Sequence, residues 1–136
     1  MIMSTSQNIR RWVIISLLTG VLLGGAGMLL HTYLGGEVAI FDARTQKNVT
    51  VVLTDTGFVP QNIRILKGAT VTFSTTRESE FWPASNPHPS HFLLTGFDPK
   101  APIPSGDTWS YTFRDAGVWG YHDHVRSYFV GIVYVE

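Results

Sequence analysis

Four of the five histidines of this chain fall into two short clusters, and imidazole is the most common metal-binding side chain. His122 and His124 flank Asp123 in one cluster, while His88 and His91 form the other within a run of prolines. Side chains two residues apart in a strand share a face, so His122 and His124 can bind one ion. The two clusters together predict a metal site with four nitrogen ligands.

The residue types also restrict the metal. Imidazole suits copper, zinc, iron and nickel, and Cu(II) binds most tightly of the common divalent ions at equal geometry. The chain contains no cysteine, so a thiolate ligand, and with it a blue-copper site, is excluded. We expect a type 2 copper site, with zinc as the alternative. An open coordination position would make the site reactive, and a filled one would make it structural.

Three residues near the histidines are candidates for supporting the ligands. Asp123 is expected to orient an imidazole by accepting a hydrogen bond, with a carboxylate ligand or a plain edge residue as alternatives. Trp82 and Tyr121 are expected to cover the site or to fill the core beside it.

The composition excludes several classes of protein. The 136 residues carry a formal net charge of zero and no basic block, so nucleic acid is not an expected partner. The absence of cysteine also excludes disulfides and a cysteine nucleophile.

The N-terminal quarter predicts a membrane anchor. Residues 12–36 contain no Asp, Glu, Lys or Arg, and this length crosses a hydrocarbon layer of about 30 Å. Arg10 and Arg11 precede it, which predicts a cytoplasmic N-terminus at residues 1–11, a transmembrane signal anchor at 12–34 and a periplasmic or extracellular remainder. A cleaved signal peptide is the alternative, and His31 is interpreted as an interfacial residue. The small-residue spacing of Ser16, Gly20 and Gly24 leaves a homo-oligomer possible.

The remainder predicts a tether at residues 35–48 and one all-β domain at 49–136. Short alternating or β-branched runs recur between turn signals, as at Val49–Leu53 and Thr70–Ser74, and this spacing is typical of an antiparallel sandwich. Residues 77–107 interrupt the rhythm with six of the seven prolines. Proline restricts the backbone, so we interpret this loop as a stiff support that presents His88 and His91.

Residues 49–136 resemble the cupredoxins. The stretch 58–73 is similar to that family's opening, in which an x-Pro-x-x-Ile strand leads to Lys-Gly and a Thr-Val-x-Phe strand. Residues 104–107, 111–113 and 131–135 resemble its later landmarks. The resemblance implies a Greek-key β-sandwich with copper held at one end.

The chain departs from the plastocyanin-like members in its last loop, where those proteins carry Cys, His and Met ligands. Neither Cys nor Met occurs after Met28, and residues 117–124 instead resemble the Gly-x-Tyr-x-Tyr-His-x-His run of multicopper oxidase domains. That resemblance implies ligand status for His122 and His124, and for His91 as the family's first histidine ligand, with His88 added. A complete oxidase centre would need a partner or an oligomer, because this chain has one such domain.

Strand alternation leaves one question about these ligands open. If Trp119 and Tyr121 face the core, then Asp123 shares their face, and His122 and His124 point the other way. Either the strand bends and brings both imidazoles over the mouth of the sandwich, or they line a surface for another subunit. We favour the bend.

Three functions fit this sequence. The first is a membrane-anchored extracytoplasmic copper protein that acts in copper handling or electron transfer, with a redox or copper-donor protein as partner. The second is a type 2 copper oxidoreductase acting on oxygen or a small nitrogen oxide. The third is a metal-free interaction module.

Overall fold

The computed structural model describes residues 38–136. The described chain consists of nine strands: β1 (Phe41–Asp42), β2 (Asn48–Thr54), β3 (Gly57–Val59), β4 (Asn62–Ile65), β5 (Thr70–Thr75), β6 (Pro83–Ser85), β7 (Trp109–Thr112), β8 (Gly117–Asp123) and β9 (Arg126–Val135). The all-β prediction is confirmed for this part of the chain. No helix within residues 38–136 is long and apolar enough to cross a membrane. The predicted anchor at 12–34 lies outside the described residues.

The strands form two sheets. One has the order β1-β4-β9-β8-β6 and the other the order β3-β2-β5-β7. Strand β2 runs parallel to β5, and β4 runs parallel to β9, while β8 and β9 form an antiparallel pair. The order joins strands that are distant in sequence, and the five-stranded sheet contains both the first and the last strand of the domain.

Period-two alternation explains how the core forms between the sheets. In β2, Val49, Val51 and Leu53 are buried while their neighbours are exposed or half-buried, and Val71 and Phe73 repeat the pattern in β5. The ring of Tyr121 packs edge-on against Phe73 and Phe58 with centroid separations of 5.4 and 4.8 Å. This aromatic packing fixes the end of β8 on which the candidate site is built.

The folded unit begins at Val38, earlier than the boundary predicted from the sequence. Residues of the expected tether contribute β1, which pairs with β4 in parallel, and Ala43 is fully buried. The guanidinium of Arg44 lies 3.1 Å from a carboxylate oxygen of Glu136. Residues 38–48 are therefore part of the domain, because pairing and burial outweigh their polar composition.

Candidate metal centre

Pairing between β6 and β8 brings the two histidine clusters to one end of the domain. Ala84 lies opposite His122 in this antiparallel pair, and the loop that carries His88 and His91 starts directly after β6. A bridge between Phe81 and Ile103 closes the base of the loop. The sheet register therefore places the proline-rich loop over the end of β8.

A β-bulge resolves the question of which way His122 and His124 face. The register of β8 against β9 shifts between His122 and Asp123. The three consecutive residues Tyr121, His122 and Asp123 are all buried. The extra residues belong to β9, because His122 pairs with Val130 and Asp123 pairs with Arg126. His124 follows in the turn, where its N–H donates to the carbonyl of Trp82 at 2.7 Å. Regular alternation thus ends at His122, and both imidazoles lie beside the other two within one chain.

The loop backbone directs His91 inward. His91 adopts a left-handed conformation with a φ of 52°, which histidine tolerates better than most residues. Its N–H donates to the carbonyl of Pro87 at 2.9 Å, and its side chain is buried. His88, by contrast, is the exposed member of the four.

The four histidines converge on a common centre. Each offers one ring nitrogen, and these nitrogens all lie within 4.8 Å of one another. Nδ1 of His88 is 3.3 Å from Nε2 of His122, and Nδ1 of His124 is 2.8 Å from Nε2 of His91. Metal–imidazole bonds of about 2.0 to 2.1 Å place neighbouring ligand nitrogens roughly 3 Å apart. The spacing therefore suits one ion held by four nitrogens.

Two acceptors hold the outer nitrogens of the buried histidines. Nδ1 of His122 donates to Oδ1 of Asn86 at 2.9 Å, and Nδ1 of His91 donates to a carboxylate oxygen of Asp98 at 2.7 Å. Donation from Nδ1 leaves a lone pair on Nε2, the nitrogen that faces the centre. Asn86 and Asp98 thus select the tautomer that can bind a metal.

Neither acceptor is among the residues that the sequence pattern predicts to support the ligands. Asn86 belongs to the same short motif as His88, and Asp98 is one of the four acidic residues of the proline-rich loop. Each is a polar residue close to a histidine cluster, and this is the signal that could have found them. Their pairing with particular rings depends on how the loop folds back on itself.

Asp98 is the centre of a hydrogen-bond network beneath His91. Nε1 of Trp82 donates to its Oδ1 at 2.9 Å, and Nζ of Lys100 lies 2.9 Å from its Oδ2. Burial opposes ionisation of this carboxyl, but the hydrogen bonds from Lys100, His91 and Trp82 outweigh burial and hold its pKa well below the usual range. Asp98 is therefore a carboxylate at neutral pH.

The three residues predicted to support the ligands lie in different places. The ring of Trp82 packs against that of His124 with centroids 4.4 Å apart. Asp123 is fully buried and accepts a hydrogen bond from the backbone N–H of Trp82 at 2.7 Å, so it ties the loop to β8. Tyr121 lies in the core, where its hydroxyl donates to the carbonyl of Gln61. Asp98 and Asn86 orient the imidazoles, whereas the hydrogen bond of Asp123 is to the backbone of Trp82.

The surroundings favour neutral imidazoles. Burial, and then the proximity of the other three rings, lower the pKa of His122 to about 4. Burial and the neighbouring rings of His88 and His91 also lower the pKa of His124. Neutral rings keep their lone pairs at pH 7 and are available as ligands.

Solved structures with the same architecture identify the fold. A purple cupredoxin from Nitrosopumilus maritimus matches with a TM-score of 0.56 and 21% identity, over 65% of this chain and 99% of that protein. A reduced amicyanin variant matches with a TM-score of 0.57 and 20% identity, over 67% of this chain and 84% of amicyanin. The described domain has the cupredoxin fold. The resemblance inferred from the sequence is thereby confirmed, including the absence of a cysteine ligand.

This cupredoxin-like domain also matches a small part of a larger enzyme. A Cu-containing nitrite reductase from Thermus scotoductus SA-01 matches with a TM-score of 0.55 and 21% identity, over 65% of this chain. The matched region is 22% of the reductase chain. The sequence matches no protein-family model and no curated relative.

The donor set of this cupredoxin-like domain fits a transition metal. Four inward-facing nitrogens, two of them on rings whose outer nitrogens are held by acceptors, meet the requirements for a transition-metal site. His88, His91, His122 and His124 would hold the ion, and no carboxylate of the described residues is among the convergent donors.

Proposed function

We propose that this protein binds one copper ion through His88, His91, His122 and His124 and acts in copper handling. The observation that carries the proposal is the convergence of four imidazole nitrogens within 4.8 Å at one end of a cupredoxin fold. Neutral nitrogen donors suit both copper and zinc, and Cu(II) binds such donors more tightly. The structural neighbours include a Cu-containing nitrite reductase, which supports copper over zinc.

The ligand set favours handling over rapid electron transfer. Soft sulfur ligands stabilise Cu(I), and this site offers nitrogen only. Bound copper would supply a redox-active Lewis acid. The four histidines differ in their surroundings. His91 and His122 are buried, and hydrogen bonds at their outer nitrogens orient them, whereas His88 is exposed on its loop. We propose that copper enters and leaves past His88.

The location and the partner belong to the same proposal. The uncharged stretch at 12–36 supports a single-pass anchor with the domain in the periplasm or outside the cell. A copper donor or redox protein in that compartment would be the partner. Electron transfer with such a protein is the closest alternative role.

A type 2 copper oxidoreductase is the second candidate. The observation that favours it is the exposure of His88. Dissociation of this ligand from the metal would open a coordination position for oxygen or a small nitrogen oxide. Azide and nitrite test this directly. A change in the electron paramagnetic resonance spectrum of the copper-loaded protein on adding either anion would favour the enzyme, and an unchanged spectrum would count against it.

Copper binding is tested by substituting a buried histidine of the cluster. We expect the full-length protein to bind one copper ion with nitrogen couplings in its paramagnetic resonance spectrum, and the His122→Ala variant to lose high-affinity binding. His31→Ala is the matched control, because it removes the one histidine outside the cluster. Equal copper binding by His122→Ala and wild type, with the fold intact by circular dichroism, would defeat the proposal and favour a metal-free interaction module.

A further inference from the structure

The two buried histidines of the cluster donate to acceptors of different strength. His91 donates to the carboxylate of Asp98 at 2.7 Å, while His122 donates to the neutral amide of Asn86 at 2.9 Å. A carboxylate acceptor makes an imidazole more basic, and charge-assisted hydrogen bonds are roughly twice as strong as neutral ones. The ring of His91 is therefore more electron-rich than the ring of His122.

Lys100 competes with His91 for the same carboxylate oxygen. Its ammonium lies 2.9 Å from Oδ2 of Asp98, the atom that also accepts from His91. The side chain of Lys100 is 77% exposed, whereas that of Asp98 is 6% exposed. A solvated cation thus lies at the outer end of a chain of contacts that runs through Asp98 to His91.

We propose that Asp98 and Lys100 are positioning residues that set the preference of the site for Cu(II) over Cu(I), acting through the imidazole of His91. This inference rests on the copper binding proposed above. A more basic imidazole stabilises the more highly charged ion, so Asp98 favours Cu(II). Lys100 withdraws negative charge from Oδ2 and opposes that effect.

Two neutralising substitutions must therefore act in opposite directions. Asp98→Asn removes the carboxylate and should lower the affinity for Cu(II) by on the order of tenfold relative to Cu(I). A tenfold relative change raises the one-electron reduction potential by about 59 mV. Lys100→Gln removes the cation beside Oδ2 of Asp98, so the hydrogen bond from His91 to this oxygen should strengthen. The substitution should therefore lower the reduction potential.

The experiment measures the affinities of the full-length protein for Cu(II) and Cu(I) by chelator competition. The potential is measured by titration with a mediator dye that supplies the single electron. Asp107→Asn is the matched control, because it removes an exposed carboxylate at the far end of the loop. Thermal melting of the metal-free proteins separates loss of fold from loss of affinity.

Opposite shifts of the potential in Asp98→Asn and Lys100→Gln, with Asp107→Asn unchanged, support the inference. Unchanged potentials in both variants, or shifts in the same direction, overturn it. If Asp98→Asn fails to fold, Lys100→Gln decides alone, and an unchanged or raised potential overturns the inference. Absence of copper binding by the wild-type protein is a different result, because it defeats the proposed function itself.

Discussion

The Gly120→Ala substitution should weaken copper binding without touching a ligand. A Cβ at position 120 would lie 2.6 Å from Nδ2 of Asn86 and 3.5 Å from its Cγ. Carbon contacts are optimal at about 3.5 to 4.0 Å, so the amide must move by roughly 1 Å. Because Nδ2 is the far end of a side chain, the amide moves and the strand does not. This movement weakens the 2.9 Å hydrogen bond from His122.

The size of the effect follows from the role of the Asn86 amide, which is the acceptor that orients the buried ring of His122. Loss of the hydrogen bond that orients a metal-binding histidine typically lowers metal affinity by about 10- to 100-fold. We expect the affinity for Cu(II) to fall by roughly 10- to 100-fold, as measured by chelator competition.

A double-mutant cycle shows whether the effect passes through the amide. Asn86→Ala removes the acceptor and opens space for a Cβ at position 120, so Gly120→Ala should then have little further effect. Equal losses on adding Gly120→Ala to wild type and to Asn86→Ala would refute the reasoning. Wild-type affinity in Gly120→Ala alone would refute it as well.

The remaining predictions concern the ligands and pH. His88→Ala should weaken copper binding less than His122→Ala, because His88 is exposed while loss of His122 also leaves Oδ1 of Asn86 without its donor; equal losses in isothermal titration calorimetry would contradict this. The metal-free protein should lose stability as the pH falls from about 6.5 towards 4. In this window the unfolded chain binds a proton at His122 that the folded protein, with its lowered pKa of about 4, does not bind. Urea unfolding at pH 7 and pH 5 measures the change, which should be smaller in His122→Ala; a folded state that is equally stable at both pH values would count against the buried neutral ring.

Local patterns predict the sandwich well because its core strands alternate. Val49, Val51 and Leu53 face one way and their neighbours the other, so the strand can be inferred without knowing its partner. The same rule fails at Tyr121, His122 and Asp123, where three consecutive residues are buried and a bulge interrupts the pairing of β8 with β9. A bulge depends on how two strands pair, and alternation within one strand does not report it.

The candidate ligands are visible in the sequence, whereas the pairing of each ring with its acceptor is not. The residue types and spacing predicted that the two histidine clusters form one centre. The partner of His91 is Asp98, seven residues further along a loop whose path depends on tertiary contacts. The sequence pattern predicts a tether at residues 35–48 for a similar reason, since β1 is recognisable only through its pairing with β4.

The metal content of the native protein tests the central claim most directly. The full-length protein, purified from its natural host or from an expression host without added metal, should contain one copper ion per chain by elemental analysis. Its paramagnetic resonance spectrum should show type 2 parameters with nitrogen couplings. Zinc as the sole metal, or a protein that stays metal-free when copper is offered, would contradict the account.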